Sequence, residues 1–109
     1  MKLLLTGGAG YIGAHVATLA EREGHSVTIV DDLSTGIARR IASPLVDIDL
    51  AAADSVEKLS TLMGETGFDA VIHLAARKQV GQSVEMPEQY FLDNIGGLAN
   101  LLLAMREHD

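Results

Sequence analysis

The residues best placed to do chemistry in this 109-residue chain stand in its first third. Thr6-Gly7-Gly8-Ala9-Gly10-Tyr11-Ile12-Gly13 contains G-x-G-x-x-G at Gly8, Gly10 and Gly13, and G-x-x-G-x-x-G at Gly7, Gly10 and Gly13. Glycines so spaced let a chain turn sharply out of a strand. They also let the backbone approach a pyrophosphate with no Cβ between, and let the following helix pack close to the sheet. The amides exposed there, with the positive end of the helix dipole, stabilise a bound anion. Asp31 lies 18 residues beyond Gly13 and is followed by Asp32. A carboxylate at about that distance accepts hydrogen bonds from the ribose hydroxyls of a dinucleotide. Taken alone, the glycines make a turn and nothing more; glycines and acid together point to dinucleotide binding. Asp31 would repel a 2′-phosphate, and Asp32 adds to that, so NAD is expected over NADP. Arg39 and Arg40 lie near enough to keep NADP open, but they read as a solvated charged surface.

For this loop to work, a strand must precede it and a helix must follow. Lys2–Thr6 is a short apolar run of the kind buried in a parallel sheet. After Tyr11 the apolar spacing changes, and Ile12, Val16 and Leu19 fall on one helical face that closes near Gly24. SVTIV, residues 26–30, is a second buried strand, ending at the two acids. A loop rich in Ser, Thr and Gly follows; Pro44 interrupts the chain, and Leu45–Ile48 reads as a short third strand. Asp54 and Glu57 resemble a helix start, with Val56, Leu59 and Met63 on one face and Gly67 at the end. Residues 70–74, AVIHL, form a fourth strand. Pro87 suits the first turn of a long helix to about Arg106, striped by Phe91, Ile95, Leu98, Leu102 and Met105. The alternation implies an α/β, doubly wound parallel sheet in the order 3-2-1-4, as one Rossmann-like domain over residues 1–109.

Composition narrows the partners. Apolar residues make up 48% of the chain, enough for a sizeable core, and the net charge is −7. An acidic surface disfavours nucleic acid, which demands a basic face. With no cysteine, thiolate metal sites and disulfides are excluded, and a reducing compartment is compatible. His15, His25, His73 and His108 show no metal-ligand spacing; His15 and His73 read as structural. No stretch has the length of a signal peptide core or a membrane span, so a soluble cytoplasmic protein is expected.

The glycine loop, Asp31-Asp32-Leu33-Ser34-Thr35-Gly36 and Phe68-Asp69-Ala70-Val71-Ile72-His73-Leu74-Ala75-Ala76 together resemble the extended short-chain dehydrogenase/reductase group. Lys78-Gln79-Val80-Gly81-Gln82-Ser83-Val84-Glu85-Met86-Pro87, with Tyr90 and Asn94-Ile95-Gly96-Gly97, is similar to the UDP-glucose 4-epimerase family within it. The resemblance covers nearly the whole chain. It implies that Gly7, Gly10, Tyr11, Ile12, Gly13, Asp31 and Asp32 hold NAD. It places Asp47 and Ile48 at the adenine, Leu74, Ala75 and Ala76 along the nicotinamide side and pyrophosphate, Lys78 at the ribose or substrate phosphates, and Asn94 near the pyrophosphate.

In such epimerases the C4 hydroxyl proton of a UDP-sugar is removed by a tyrosine in Tyr-x-x-x-Lys, assisted by a serine or threonine. Here Tyr11 precedes His15 and Tyr90 precedes Asn94 at that spacing, so no catalytic residue is assigned. The resemblance therefore implies the N-terminal, NAD-binding part of an epimerase, inactive alone. Other sugar-nucleotide epimerases or dehydratases, or a non-catalytic nucleotide-binding module, are the alternatives. Only 15 residues separate Asp31 from Asp47, fewer than the family pattern, so a shortened third strand is expected. The 87–106 helix, apolar beyond one face, is a candidate homodimer surface.

Overall fold

The computed structural model describes residues 1–33, 43–75 and 86–108. Arg39, Arg40, Ala76 and Lys78 lie outside the described residues. Four strands form one parallel sheet: β1 (Lys2–Thr6), β2 (Ser26–Asp31), β3 (Leu45–Asp47) and β4 (Ala70–His73). Their order is β3-β2-β1-β4, the expected 3-2-1-4. Three helices complete the described α/β pattern: α1 (Tyr11–Arg22), α2 (Ser55–Thr66) and α3 (Pro87–His108). β3 has three residues, in keeping with the short connection. None of the described helices is long and apolar enough to cross a membrane.

The described residues divide into two compact units, one of residues 1–48 and 66–75, the other of residues 49–65 and 86–108. The first holds the sheet and α1. Its register aligns Thr6 with Val30 and with His73, and Asp31 with Asp47, bringing the C-terminal strand ends to one rim. Leu3, Leu5, Val27 and Ile29 alternate onto one sheet face and bury against Ala17, with Val16 and Ala20 packed beside them. Leu4, Thr6 and Val30, on the other face, are also buried, as a central parallel sheet requires. The inward residues of α1 are Gly13 and Ala17, not the expected Ile12 and Leu19, which are exposed. The period was right and the phase wrong by one residue: small side chains face the sheet because they admit close approach. α1 closes as the sequence suggests. Gly24 has φ +91°, its N–H donates to the Glu21 carbonyl and that of His25 to the Ala20 carbonyl, a Schellman ending.

The second unit packs α2 beside α3. Leu59 and Met63 of α2 are buried, as are Leu101 and Ala104 of α3. The Leu50 carbonyl accepts from Ser55 Oγ at 2.8 Å and from Asn100 Nδ2 at 2.7 Å. Further on, Ser60 Oγ meets Glu107 Oε2 at 2.5 Å and His108 Nε2 at 2.8 Å. Contacts thus advance in step along both helices, which run in the same direction. Asp54 directly precedes α2, its carbonyl accepts from the Lys58 N–H, and its carboxylate pairs with Lys58 Nζ at 3.1 Å.

The expected stripe on α3 is a real apolar face, but it is turned outward. Phe91, Ile95, Leu98 and Leu102 are exposed, whereas Gly97, Leu101 and Ala104 are buried. Leu101 is only 1% exposed. Leu101→Ala should destabilise the chain by about 2–5 kcal/mol, whereas Leu103→Ala, at an exposed position, should cost under about 0.5 kcal/mol; chemical denaturation of both variants checks the assignment.

Candidate functional site

The rim where β1, β2 and β4 end gathers the chemistry of the first unit. β1 delivers Thr6 and then Gly7, whose N–H donates to the Val30 carbonyl at 2.8 Å. Gly7 has φ +75°, and a Cβ there would lie 2.7 Å from Ala75 N and 2.8 Å from its Cα. Both the conformation and the approach of the β4 exit therefore require glycine. A Cβ on Gly13 would lie 2.3 Å from the Gly7 carbonyl oxygen, so Gly13 lets the helix begin directly over the loop.

Gly10 differs. Among the described residues, a Cβ there would meet only the Gly7 oxygen, at an ordinary 3.5 Å, and its φ of −75° is open to any residue. Packing among the described residues gives no reason for glycine at this position. It sits at the N-cap of α1, which has no side-chain cap and no acid in its first turn. The Ala14 N–H makes the first helical bond, to the Gly10 carbonyl at 2.9 Å, leaving the amides of Tyr11, Ile12 and Gly13 without partners inside the helix. Tyr11 and Ile12 hold their side chains out, 72% and 56% exposed. Tyr11 meets the His15 ring edge-on, with centroids 4.7 Å apart. The geometry suits an anion lying over Gly10 against bare amides.

Asp31 stands beside this opening. Its Oδ2 accepts from the Ala9 N–H at 2.9 Å, and its Oδ1 from the Leu33 N–H at 2.7 Å. The carboxylate is thereby fixed to the glycine loop, with lone pairs left for two more donors. Leu33 has φ 61°, a conformation costing a residue with a Cβ about 1–2 kcal/mol; the bond to Asp31 offsets part of that. Asp32 is exposed, as is Asp47, the ladder partner of Asp31. Ile48, next to Asp47, is buried. Three carboxylates at one end of β2 and β3 make this side hostile to a further phosphate.

On the other side, β4 ends against Thr6. The Leu74 N–H donates to the Thr6 carbonyl at 3.0 Å. Thr6 Oγ1 lies 3.2 Å from Leu74 N, 3.4 Å from Ala75 N and 2.6 Å from His73 Nδ1. Burial pushes the His73 imidazole below the usual histidine pKa. The structure thus brings Gly7, Gly10, Tyr11, Ile12, Gly13, Asp31, Leu74 and Ala75 to one rim of one unit, with Asp32, Asp47 and Ile48 at its side. Asn94 belongs to α3 in the other unit and is half-buried. Sequence reasoning missed Thr6 and His73 as partners. The available signal was a polar residue ending each of two apolar strands.

The sequence matches the NAD dependent epimerase/dehydratase family over residues 3–109. It is 46% identical to UDP-glucose 4-epimerase of Corynebacterium glutamicum over 108 residues, which are 99% of this chain and 32% of that protein. Among solved structures, the fold superposes on UDP-glucose-4-epimerase from Stenotrophomonas maltophila with bound NAD and formylated UDP-arabinopyranose. The TM-score is 0.92 at 39% identity, covering 99% of this chain and 34% of that one. It superposes likewise on UDP-glucose 4-epimerase from Brucella ovis in complex with NAD, with a TM-score of 0.91 at 37% identity over 98% of this chain and 32% of that one. The chain therefore spans about a third of the length of these relatives. By sequence and by fold, the chain belongs to the NAD dependent epimerase/dehydratase family.

Proposed function

We propose that these residues form the NAD-binding portion of a sugar-nucleotide epimerase that interconverts UDP-glucose and UDP-galactose through a 4-keto intermediate. The observation that carries this is Gly10: a glycine that neither backbone conformation nor neighbouring atoms of the described residues demand, at a helix start with no side-chain cap, where a pyrophosphate would lie. The amides of Tyr11, Ile12 and Gly13 bind its oxygens, and the exposed Tyr11 and Ile12 side chains flank it. Asp31, already anchored by Ala9 and Leu33, accepts from the adenosine ribose hydroxyls, while Asp32 and Asp47 add negative charge against a 2′-phosphate. Asp47 and Ile48 border the adenine. Leu74 and Ala75 line the nicotinamide side; the family resemblance adds Ala76, Lys78 and Asn94 as cofactor contacts.

When bound, NAD supplies a reversible hydride acceptor for C4 of the sugar. The chain's own contribution is to bind and orient, and proton transfer at the C4 hydroxyl is assigned to none of its residues. Residues 1–109 are read as one NAD-binding domain. A cytoplasmic location accords with the cysteine-free sequence. Calorimetric titration of the chain should show NAD binding more tightly than NADP; the reverse order would contradict the role given to Asp31.

We also infer that the outward face of α3 pairs with a second copy. Phe91, Leu92, Ile95, Leu98 and Leu102 are all exposed on it, an apolar surface larger than isolated exposed residues make. Sedimentation should show a concentration-dependent dimer that Ile95→Glu with Leu102→Glu reduces to monomer. A wild-type chain that stays monomeric at high concentration would contradict this.

A further inference from the structure

We propose that His73 is a positioning residue: it fixes the direction of the Thr6 hydroxyl proton and thereby holds the Leu74–Ala75 exit from β4 against Gly7. The amides of Leu74 and Ala75 can only donate: the one Leu74 proton is shared between the Thr6 carbonyl at 3.0 Å and Thr6 Oγ1 at 3.2 Å, and the Ala75 N–H reaches Oγ1 at 3.4 Å. A hydroxyl has two acceptor lone pairs and one proton. Neither amide can accept the proton of this fully buried hydroxyl, and among the described residues that hydrogen-bond Thr6 Oγ1 the one acceptor is His73 Nδ1, at 2.6 Å, so the proton is directed there. Nδ1 therefore carries no proton, and the neutral ring is protonated on Nε2. Desolvation by burial, which disfavours the imidazolium, acts in the same direction.

Register makes this arrangement possible, because Thr6 and His73 are ladder partners at the last paired position of β1 and β4. The consequence falls one residue further on. A Cβ at Gly7 would lie 2.7 Å from Ala75 N, so the amide that Thr6 Oγ1 receives is also the atom pressed on the glycine loop. A ring offering N–H at Nδ1 would compete for a Thr6 lone pair and loosen the Ala75 amide. The effect on cofactor affinity rests on the NAD reading above; the hold on the strand exit does not.

The test uses the 15N-labelled chain without NAD. A long-range 1H–15N correlation at neutral pH should show His73 Nδ1 unprotonated and Nε2 protonated, and the Leu74 and Ala75 amides should exchange slowly. His73→Leu, which has no acceptor, should speed exchange at Ala75 by about 5-fold or more, the worth of one hydrogen bond. His73→Asn, which restores an acceptor oxygen at similar reach, should return exchange to near the wild-type rate. NAD affinity should follow the same order, falling about 5-fold in His73→Leu and recovering in His73→Asn. A proton on Nδ1 in the wild-type ring would overturn the proposal even if the leucine variant failed to fold. Equal exchange in the leucine and asparagine variants would do so as well. Absence of NAD binding by the wild-type chain would count against the cofactor reading alone, since the tautomer and the exchange rates still decide the role of His73.

Discussion

Gly13→Ala should abolish measurable NAD binding and destabilise the chain by about 3 kcal/mol. Two effects oppose each other at this position. Alanine in a helix is favoured over glycine by about 1 kcal/mol. Against that, the new Cβ would sit 2.3 Å from the Gly7 carbonyl oxygen and 2.7 Å from Gly8 Cα. Both obstacles are backbone, in a loop that cannot swing aside as a flexible side chain would, so the clash wins. Relieving it means lifting α1 off the loop, which moves the amides of Tyr11 and Ile12 away from the anion. Gly96→Ala is the matched control. Gly96 lies in α3 with nothing of the described residues within 4 Å of its would-be Cβ, so alanine there should stabilise by about 0.5–1 kcal/mol. Denaturation and NAD titration of both variants separate general helix propensity from the close approach at Gly13. A Gly13→Ala chain that melts and binds like the wild type would refute the geometry.

Asp31→Ala should have the second large effect, and on two counts. It strands the Ala9 and Leu33 N–H groups, each bonded to a charged acceptor, and such bonds contribute about 1.5–3 kcal/mol apiece. Because Leu33 is half-buried and held at positive φ, the stability loss should reach about 3 kcal/mol. Loss of the ribose contacts should weaken NAD by on the order of 100-fold, as expected for two charge-assisted bonds. NADP should weaken far less, since its extra phosphate no longer faces this carboxylate, so the preference between the two should narrow or invert. Asp31→Asn keeps one acceptor oxygen and should fall between. Parallel titrations with both dinucleotides provide the check; an unchanged preference would remove Asp31 from the site.

Much of the first unit was legible because its signals are local. Lys2–Thr6, the glycine spacing and SVTIV-Asp31 follow one another with no intervening choice, and crossover handedness then orders the strands. The short connection after Asp31 foretold the three-residue β3. Helix faces were less legible. The spacing in α1 and α3 gave the right period, but bulky residues drew the phase toward Ile12 and Leu19 in one and Phe91 and Ile95 in the other. The buried lines are instead Gly13 with Ala17 and Gly97 with Leu101 and Ala104, where small residues permit close packing. An outward apolar face on α3 has the same sequence signature as an inward one. The Thr6–His73 pair was beyond reach for another reason: it depends on the ladder register of residues 67 apart, which no local pattern encodes.

The central claim is that an NAD pyrophosphate binds over Gly10 against the first turn of α1. Titrating NAD into the 15N-labelled chain and following its amide resonances tests this most directly. The largest shifts should fall at Gly10, Tyr11, Ile12 and Gly13, with a second group at Ala9 and Leu33 reporting the Asp31 carboxylate. Shifts confined to other parts of the chain, with Gly10–Gly13 unmoved at saturating NAD, would contradict the account.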